Sequence, residues 1–332
     1  MWSGFPSRSV PALAAGLVLA LGVLTVGPAP RAQTNYPDKP VRIVVPYGPG
    51  GVADVSTRLV AQKLSEQTGQ NFFVDNRPGA GLIVAARAAL SFPHDGYAMF
   101  LSGNGAAISE SLFKSLPYHM LTDFREVSGI SEFEMLLVTK PDSQIASVAK
   151  LVEIAKANPG KLNFGTIAPG STQNLSAVLL TMVTGTNASI VTFRTTPELI
   201  AAVARGDVDV GFDYYAAFRP AIAGKQIRVI ATSGDHPDPL LPGVPTVKDS
   251  GYPDYVVTSW NGLAAPANVP DGIVGKLNKA VDAALQAPDI RARMALLGLE
   301  PMIGTPEQIT RRMTADIEKW RVVIEKAHIP KE

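Results

Sequence analysis

The stretch VRIVVPYGPGGVAD (41–54) constrains the fold of this chain more than any other. Val41, Ile43, Val44 and Val45, broken only by Arg42, are β-branched residues that suit a strand buried on both faces. The strand runs through Gly48, Gly50 and Gly51 into a helical pattern that carries Asp54 in its first turn. Such a junction gathers free backbone N–H groups and a positive dipole end in one place. It predicts a site for an anion, either phosphate or carboxylate.

The same rhythm recurs. A helical stripe over 52–68 ends at Gly69, a short strand NFFVDN follows, and RPGAGL leads into a small-residue helix over 83–90. GYAMFLSG (96–103) is a third strand, closed by the turn Gly103-Asn104-Gly105. Two short strands are expected over 127–138, separated by an acidic patch at Glu132 and Glu134. A second series follows: a helix over 148–158, the strand KLNFGT, the turn Ala168-Pro169-Gly170-Ser171-Thr172 and a helix over 173–184. SIVTF (189–193), a helix over 197–205, VDVGFD (208–213) and RVIATSG (228–234) continue the series. A proline-rich connection over 235–255 then leads to VVTSWNGLAAP (256–266) and closing helices over 272–286, 289–297 and 306–327. Repeated strand, glycine turn and helix predict parallel sheets with crossovers, in two α/β units that each begin with a glycine turn. Ligands of open α/β sheets lie outside the carboxyl ends of the strands, so two facing units would hold a small molecule between them.

The N-terminus reads separately. Arg8, the uncharged run 12–27 and PAPRAQ follow the order of a secretory signal over residues 1–32, with cleavage near Ala32. That run is shorter than the ~20 residues a membrane span needs. The chain has no cysteine, hence neither a lipid-attachment site nor a disulfide scaffold. Removing Arg8 and Arg31 from 30 basic residues leaves 28 against 29 acidic ones. With no basic run, nucleic acid is not an expected partner.

Each chemical motif meets a simpler explanation. Gly48, Gly50 and Ala53 fit the loose G-x-G-x-x-A pattern, but Asp75 comes later than the ~20-residue spacing of a dinucleotide site. No Gly-Lys-Ser/Thr follows, which excludes a P-loop. Ser111 with Lys114 and Ser147 with Lys150 make isolated S-x-x-K matches, without the partner motifs of that chemistry. His94, His119, His236 and His328 lack metal-ligand spacing. No catalytic constellation, metal site or cofactor is expected. Ser171 and Thr172 add hydroxyls at the second helix N-terminus, suited to capping and to anion binding alike. Arg194 could pair with a carboxylate, and Asp213, beside Tyr214 and Tyr215, could orient a ligand.

Taken in order, YPDKPVRIVVPYGPGGVAD, DNRPGAG (75–81), DGY (95–97), LPY (116–118) and PGKLNFGT (159–166) resemble the periplasmic solute receptors of the tripartite tricarboxylate transporters, the Bug family. The resemblance continues through GST (170–172), GDVDVGFD (206–213), LPGVPTVKDSGYP, SWNGLAAP (259–266) and GTPEQ (304–308). It implies a bilobed α/β fold of the type II periplasmic-binding-protein kind, with the ligand cleft between two domains. Domain 1 would be 33–134 plus 253–332 and domain 2 would be 135–252, with crossings near Glu134 and Tyr252. It also implies capture of a small carboxylate by a monomer that serves membrane permease subunits, without catalysis. An exported sensor for a membrane signalling partner and an exported α/β enzyme are the alternatives.

Carried onto this chain, the resemblance implies ligand contacts from Tyr47, Gly48, Gly50, Gly51 and Asp54 of the first turn, and from Ile83 and Asn104. The second side would supply Ala168, Gly170, Ser171, Thr172, Asn174, Phe193, Arg194 and Asp213. Three departures stand out: Leu82 and Ile83 after RPGAG, Asn174 at the end of the second turn, and Thr192-Phe193-Arg194-Thr195 in place of the family's Pro-Tyr-Lys-Gly. A more apolar wall predicts a ligand with a hydrophobic body, aliphatic or aromatic, behind its carboxylate.

Overall fold

Strand β4, Phe124–Thr139, organises the molecule because it belongs to two sheets at once. The structure is a computed structural model that describes Met1 and residues 36–332. The expected export signal, 1–32, is represented among these only by Met1 and otherwise lies outside them.

The first sheet is built on β1 (Val41–Val45), β2 (Phe72–Asn76) and β3 (Ala98–Gly103), with β1 parallel to both neighbours. Their crossovers are α1 (Val52–Thr68) and α2 (Ile83–Ser91), and α3 (Asn104–Leu112) leaves β3. In the second half, α4 (Val148–Ala157) precedes β5 (Asn163–Ile167), α5 (Thr172–Thr184) and β6 (Ser189–Phe193). Then come α6 (Thr196–Arg205), β7 (Val210–Tyr214), α7 (Tyr215–Ala223) and β8 (Arg228–Thr232). The chain returns through β9 (Thr258–Pro266) and closes with α8 (Asp271–Gln286), α9 (Pro288–Ala295), β10 (Glu300–Pro301) and α10 (Pro306–Lys326).

The strand order is β2-β1-β3-β9-β4-β7-β5-β6, with β8 and β10 also on β4. Up to Glu134, β4 pairs with β9; from Met135 on, it pairs with β7 and β8. The parallel expectation therefore holds for β1–β3 and for β5–β7, and needs correcting where the halves meet. There β9 runs antiparallel to β3 and β4, and β4 antiparallel to β7, β8 and β10. The two short strands expected over 127–138 are one strand of 16 residues, whose register shifts near Ser128 and Ser131. A Cβ on Gly129 would run into the backbone oxygen of Met302, so only glycine allows the approach to the segment after β10.

Burial explains the residue choices. Val41, Ile43, Val44 and Val45 are fully buried, since α1 and α8 cover one face of the first sheet while α3 and α10 cover the other. Each large apolar side chain placed this way contributes roughly 1.5–3 kcal/mol. In the second sheet Leu136, Val138, Leu199, Val203 and Phe218 form a separate core against α6 and α7.

Candidate functional site

Parallel strands followed by helices place every crossover helix N-terminus at the strands' carboxyl ends. The consequence is a cleft of about 570 Å³ lined by the first turns, or the residues just before them, of α1, α2, α3, α5, α6 and α7. Four of these six helices begin without a side-chain cap: α1 at Gly51, α2 at Leu82, α3 at Gly103 and α7 at Tyr214. Their first N–H groups remain as donors. Among the described residues that line the cleft there is no Arg, Lys or His. The lining itself offers positive potential only through its peptide dipoles.

The first turn is held from behind. Gly50, at φ +88°, gives its N–H to Asp54 Oδ2 at 2.9 Å. Asp54 is 2% exposed and also accepts from Arg58 Nε at 3.0 Å and Asn76 Nδ2 at 2.9 Å. Burial pushes the Asp54 carboxyl up, yet these donors outweigh it and hold the group below the usual carboxylate range. The same Asn76 amide donates to the carbonyl of Tyr47 at 2.9 Å.

The second turn repeats the device. Gly170, at φ +69°, donates to Asn174 Oδ1 at 3.2 Å, and Asn174 Nδ2 donates to Thr166 Oγ1 at 3.3 Å. Ser171 caps α5 by accepting from Asn174 N at 3.1 Å. Ala168 sits at φ +30°, an unusual backbone for a residue with a Cβ and a small store of strain. A Cβ on Gly170 would meet Leu112 at the end of α3, so the two sides of the cleft touch at this point.

Of the residues expected at the site, Tyr47, Gly51, Ala168, Gly170, Ser171, Thr172 and Asp213 line the cleft together. Eight do not: Gly48, Gly50, Asp54, Ile83, Asn104, Asn174, Phe193 and Arg194. The reasons are local. Gly50, Asp54 and Asn174 belong to the two clamps just described. Ile83 turns against the core and leaves Leu82, at φ 73°, facing the cleft. Asn104 is 1% exposed, its amide giving a hydrogen bond to Thr172 Oγ1 at 2.9 Å and its oxygen taking one from Trp320 Nε1 at 2.7 Å. Phe193 packs beside the second-sheet core, and Arg194 gives its backbone N–H to Glu198.

Gln173, Thr196, Tyr214, Phe133, Ile108, Leu112, Phe113 and the β9 residues Ser259, Trp260 and Asn261 line the cleft without having been singled out as ligand contacts. The motif SWNG carries three of these. Leu112 and Ile108 required recognising α3, whose N-cap glycine looks like a simple turn. The backbone of Glu332 closes the rim by bonding to Leu112 O and Lys114 N.

A larger cavity of about 940 Å³ opens across β4 and β9 from the cleft, lined by Glu132, Glu134, Arg312 and Lys319 among others. Of its basic groups, Arg312 is engaged by Glu132 and Asp316, Lys319 by the carbonyl of Val256, and His236 lies beside Asp235. It receives none of the glycine turns. The smaller cleft is therefore the candidate site.

Comparison with known proteins agrees with this geometry. The family model described as the tripartite tricarboxylate transporter family receptor matches residues 56–329. Protein BugT of Bordetella pertussis is 30% identical over 310 residues, covering 92% of this chain and 95% of its own. An R. palustris protein solved with adipate has a TM-score of 0.80 at 32% identity, covering 89% of this chain and 99% of its own. MatC from Rhodopseudomonas palustris, solved with bound malate, has a TM-score of 0.75 at 27% identity and covers 87% and 100%. The chain belongs to the tripartite tricarboxylate transporter receptor family, and its fold is the bilobed fold of those periplasmic binding proteins.

Proposed function

We propose that this receptor of the tripartite tricarboxylate transporter family works in the periplasm, exported by residues 1–32 with cleavage near Ala32. There it captures a small carboxylate and delivers it to membrane permease subunits as a monomer. One observation carries the reading: uncapped helix N-termini converge on a cleft whose described lining has no side-chain cation. Such a site suits an anion of one or two charges presented to N–H donors. The relatives solved with adipate and malate support a carboxylate, and adipate's methylene chain agrees with apolar walls at Leu82, Ile108, Leu112 and Phe113.

The lobes are proposed as 33–134 with 253–332, and 135–252. The exchange of β4 from β9 to β7 between Glu134 and Met135 supports the first crossing. Contacts from both lobes would favour the closed state, with β4 and β9 flexing between them. The role is binding without turnover. A sensor for a membrane signalling partner would use the same cleft, and transport assays with the permease subunits separate the two.

A thermal-shift panel of adipate, malate, citrate and benzoate tests the reading, because stabilisation rises with ligand concentration over Kd. At least one carboxylate with an apolar body should raise Tm by several degrees. A Cβ at Gly51 meets open space, so Gly51→Val should fold normally while covering the α1 N-terminus and abolishing that shift. An unchanged shift in Gly51→Val would remove the first turn from the site.

A further inference from the structure

Asp213, next to last in β7, is 2% exposed and still reaches the lining of the cleft. Its carboxylate is surrounded by donors. Oδ1 accepts from Gln173 Nε2 at 3.1 Å and from the backbone N–H of Tyr214 at 2.9 Å. Oδ2 accepts from Thr196 Oγ1 at 2.6 Å. Gln173 and Thr196 also line the cleft, so the three side chains act as a unit on its second-sheet wall.

The donor inventory of that unit is nearly exhausted. A threonine hydroxyl has one proton, and here it points at Asp213, leaving only lone pairs for a ligand. Gln173 spends one of its two N–H bonds the same way and keeps its carbonyl oxygen. The carboxylate has no donor at all and about four lone-pair sites, of which three are used. These three side chains therefore face the ligand mainly with acceptors, on a carboxyl that burial pushes up and that its three donors pull back toward the charged form. The uncapped α7 N-terminus beside it is the donor on this side. The opposite wall has the reverse character, with the uncapped N-termini of α1 and α3 and the Tyr47 phenol.

We propose that Asp213, Gln173 and Thr196 form an acceptor wall that selects carboxylates carrying a hydrogen-bond donor, a hydroxyl or an ammonium group, at the end remote from the captured carboxylate. This rests on the carboxylate reading above and narrows it. A second carboxylate at the same place would meet a buried like charge with no cation among the described lining to offset it. Like charges in a partly desolvated site repel strongly. An ammonium or hydroxyl would instead complete the free lone pairs. Asp213 acts here on specificity, and through its hold on Gln173 and Thr196 it is also a positioning residue.

The test is calorimetric titration of the mature chain with two matched series at neutral pH. One compares adipate, 6-hydroxyhexanoate and 6-aminohexanoate; the other compares succinate, 4-hydroxybutyrate and 4-aminobutyrate. The hydroxy or amino acid should bind at least about tenfold more tightly than the dicarboxylate of equal length. Asp213→Asn, whose amide can donate, should shrink that preference or reverse it. Should Asp213→Asn fail to fold, Gln173→Met on the half-buried first turn of α5 provides the second variant, again with a reduced preference. A dicarboxylate that binds as tightly as its hydroxy and amino counterparts overturns the acceptor wall while leaving carboxylate capture standing. Absence of binding by all six, and by the thermal-shift panel, removes both.

Discussion

Two side chains, Asp54 and Asn174, do the same work on opposite sides of the cleft. Each sits four residues after a turn glycine and takes that glycine's N–H. This fixes the turn and leaves the next N–H groups, those of the helix proper, for a ligand. The two clamps differ in strength because Asp54 is a buried carboxylate with charged and neutral donors, whereas Asn174 is a neutral amide. Hydrogen bonds to charged groups contribute about 1.5–3 kcal/mol and neutral ones about 1 kcal/mol. Asp54→Ala should accordingly lower stability by about 2–3 kcal/mol in urea unfolding, and Asn174→Ala by about 1 kcal/mol. Both should weaken carboxylate binding without touching the ligand. Negligible costs together with full affinity in both variants would show that the turns hold their shape unaided. The family resemblance implied ligand contacts for both, although Asp54 alone reads most simply as a helix N-terminal acid or cap, since a polar side chain in a first helical turn can cap, clamp or bind. Only the position of Gly50 and Gly170 in space separates these roles.

At the level of elements, the regular βα units were legible and the connecting strands were not. SIVTF was located to the residue, and the α1 stripe, closed by Gly69 in a left-handed conformation, also matched its expected span. Those elements carry their own periodicity and stop signals. β4 broke the pattern because one strand serves two environments. Its middle, with Ser128, Gly129, Ser131, Glu132 and Glu134, is polar, bulged near Ser128 and Ser131, and leaves one sheet for the other just after Glu134. Local alternation read that middle as a gap between two strands. α7 was missed for a related reason: Pro220 lies inside it, and its first residues follow β7 without a side-chain cap. The site shared this asymmetry. The glycine turns announced themselves, whereas Gln173, Thr196 and the β9 residues became neighbours only through the fold.

Over the whole molecule, buried acids set how stability follows pH. Burial pushes the Glu126 carboxyl up to about 8, with only Ser102 donating to it, and Glu126 Oε1 has no partner. Burial, with Asp238 nearby, pushes Glu134 up to about 7 behind the crossing strands. An ordinary glutamate ionises near 4.5, so between that pH and about 8 the native state keeps protons that the unfolded chain has lost. Stability must then fall as pH rises through this window and level off above it. His119, raised by its hydrogen bond to Glu110, works in the same direction. Asp54, held low, loses its contribution only at acid pH. Tm should decline from pH 5 to pH 8, and Glu126→Gln should flatten much of that decline. A Glu126→Gln profile parallel to the parent's would show that Glu126 is already ionised at pH 5.

The chain of contacts Trp320–Asn104–Thr172 joins α10 to α3 and then to the first turn of α5 on the far wall of the cleft. An indole N–H in a hydrogen bond is sensitive in its emission to the polarity around it. Trp320 is fully buried, so its light comes from a shielded site whose hydrogen bond leads to the ligand's doorstep. Occupancy that shifts Thr172 should therefore alter the emission maximum without any attached dye, and Trp320→Phe should remove the part carried by this chain of contacts while leaving that of Trp260, which lines the cleft. The receptor carries its own optical gauge of filling, readable in the time of a stopped-flow mix.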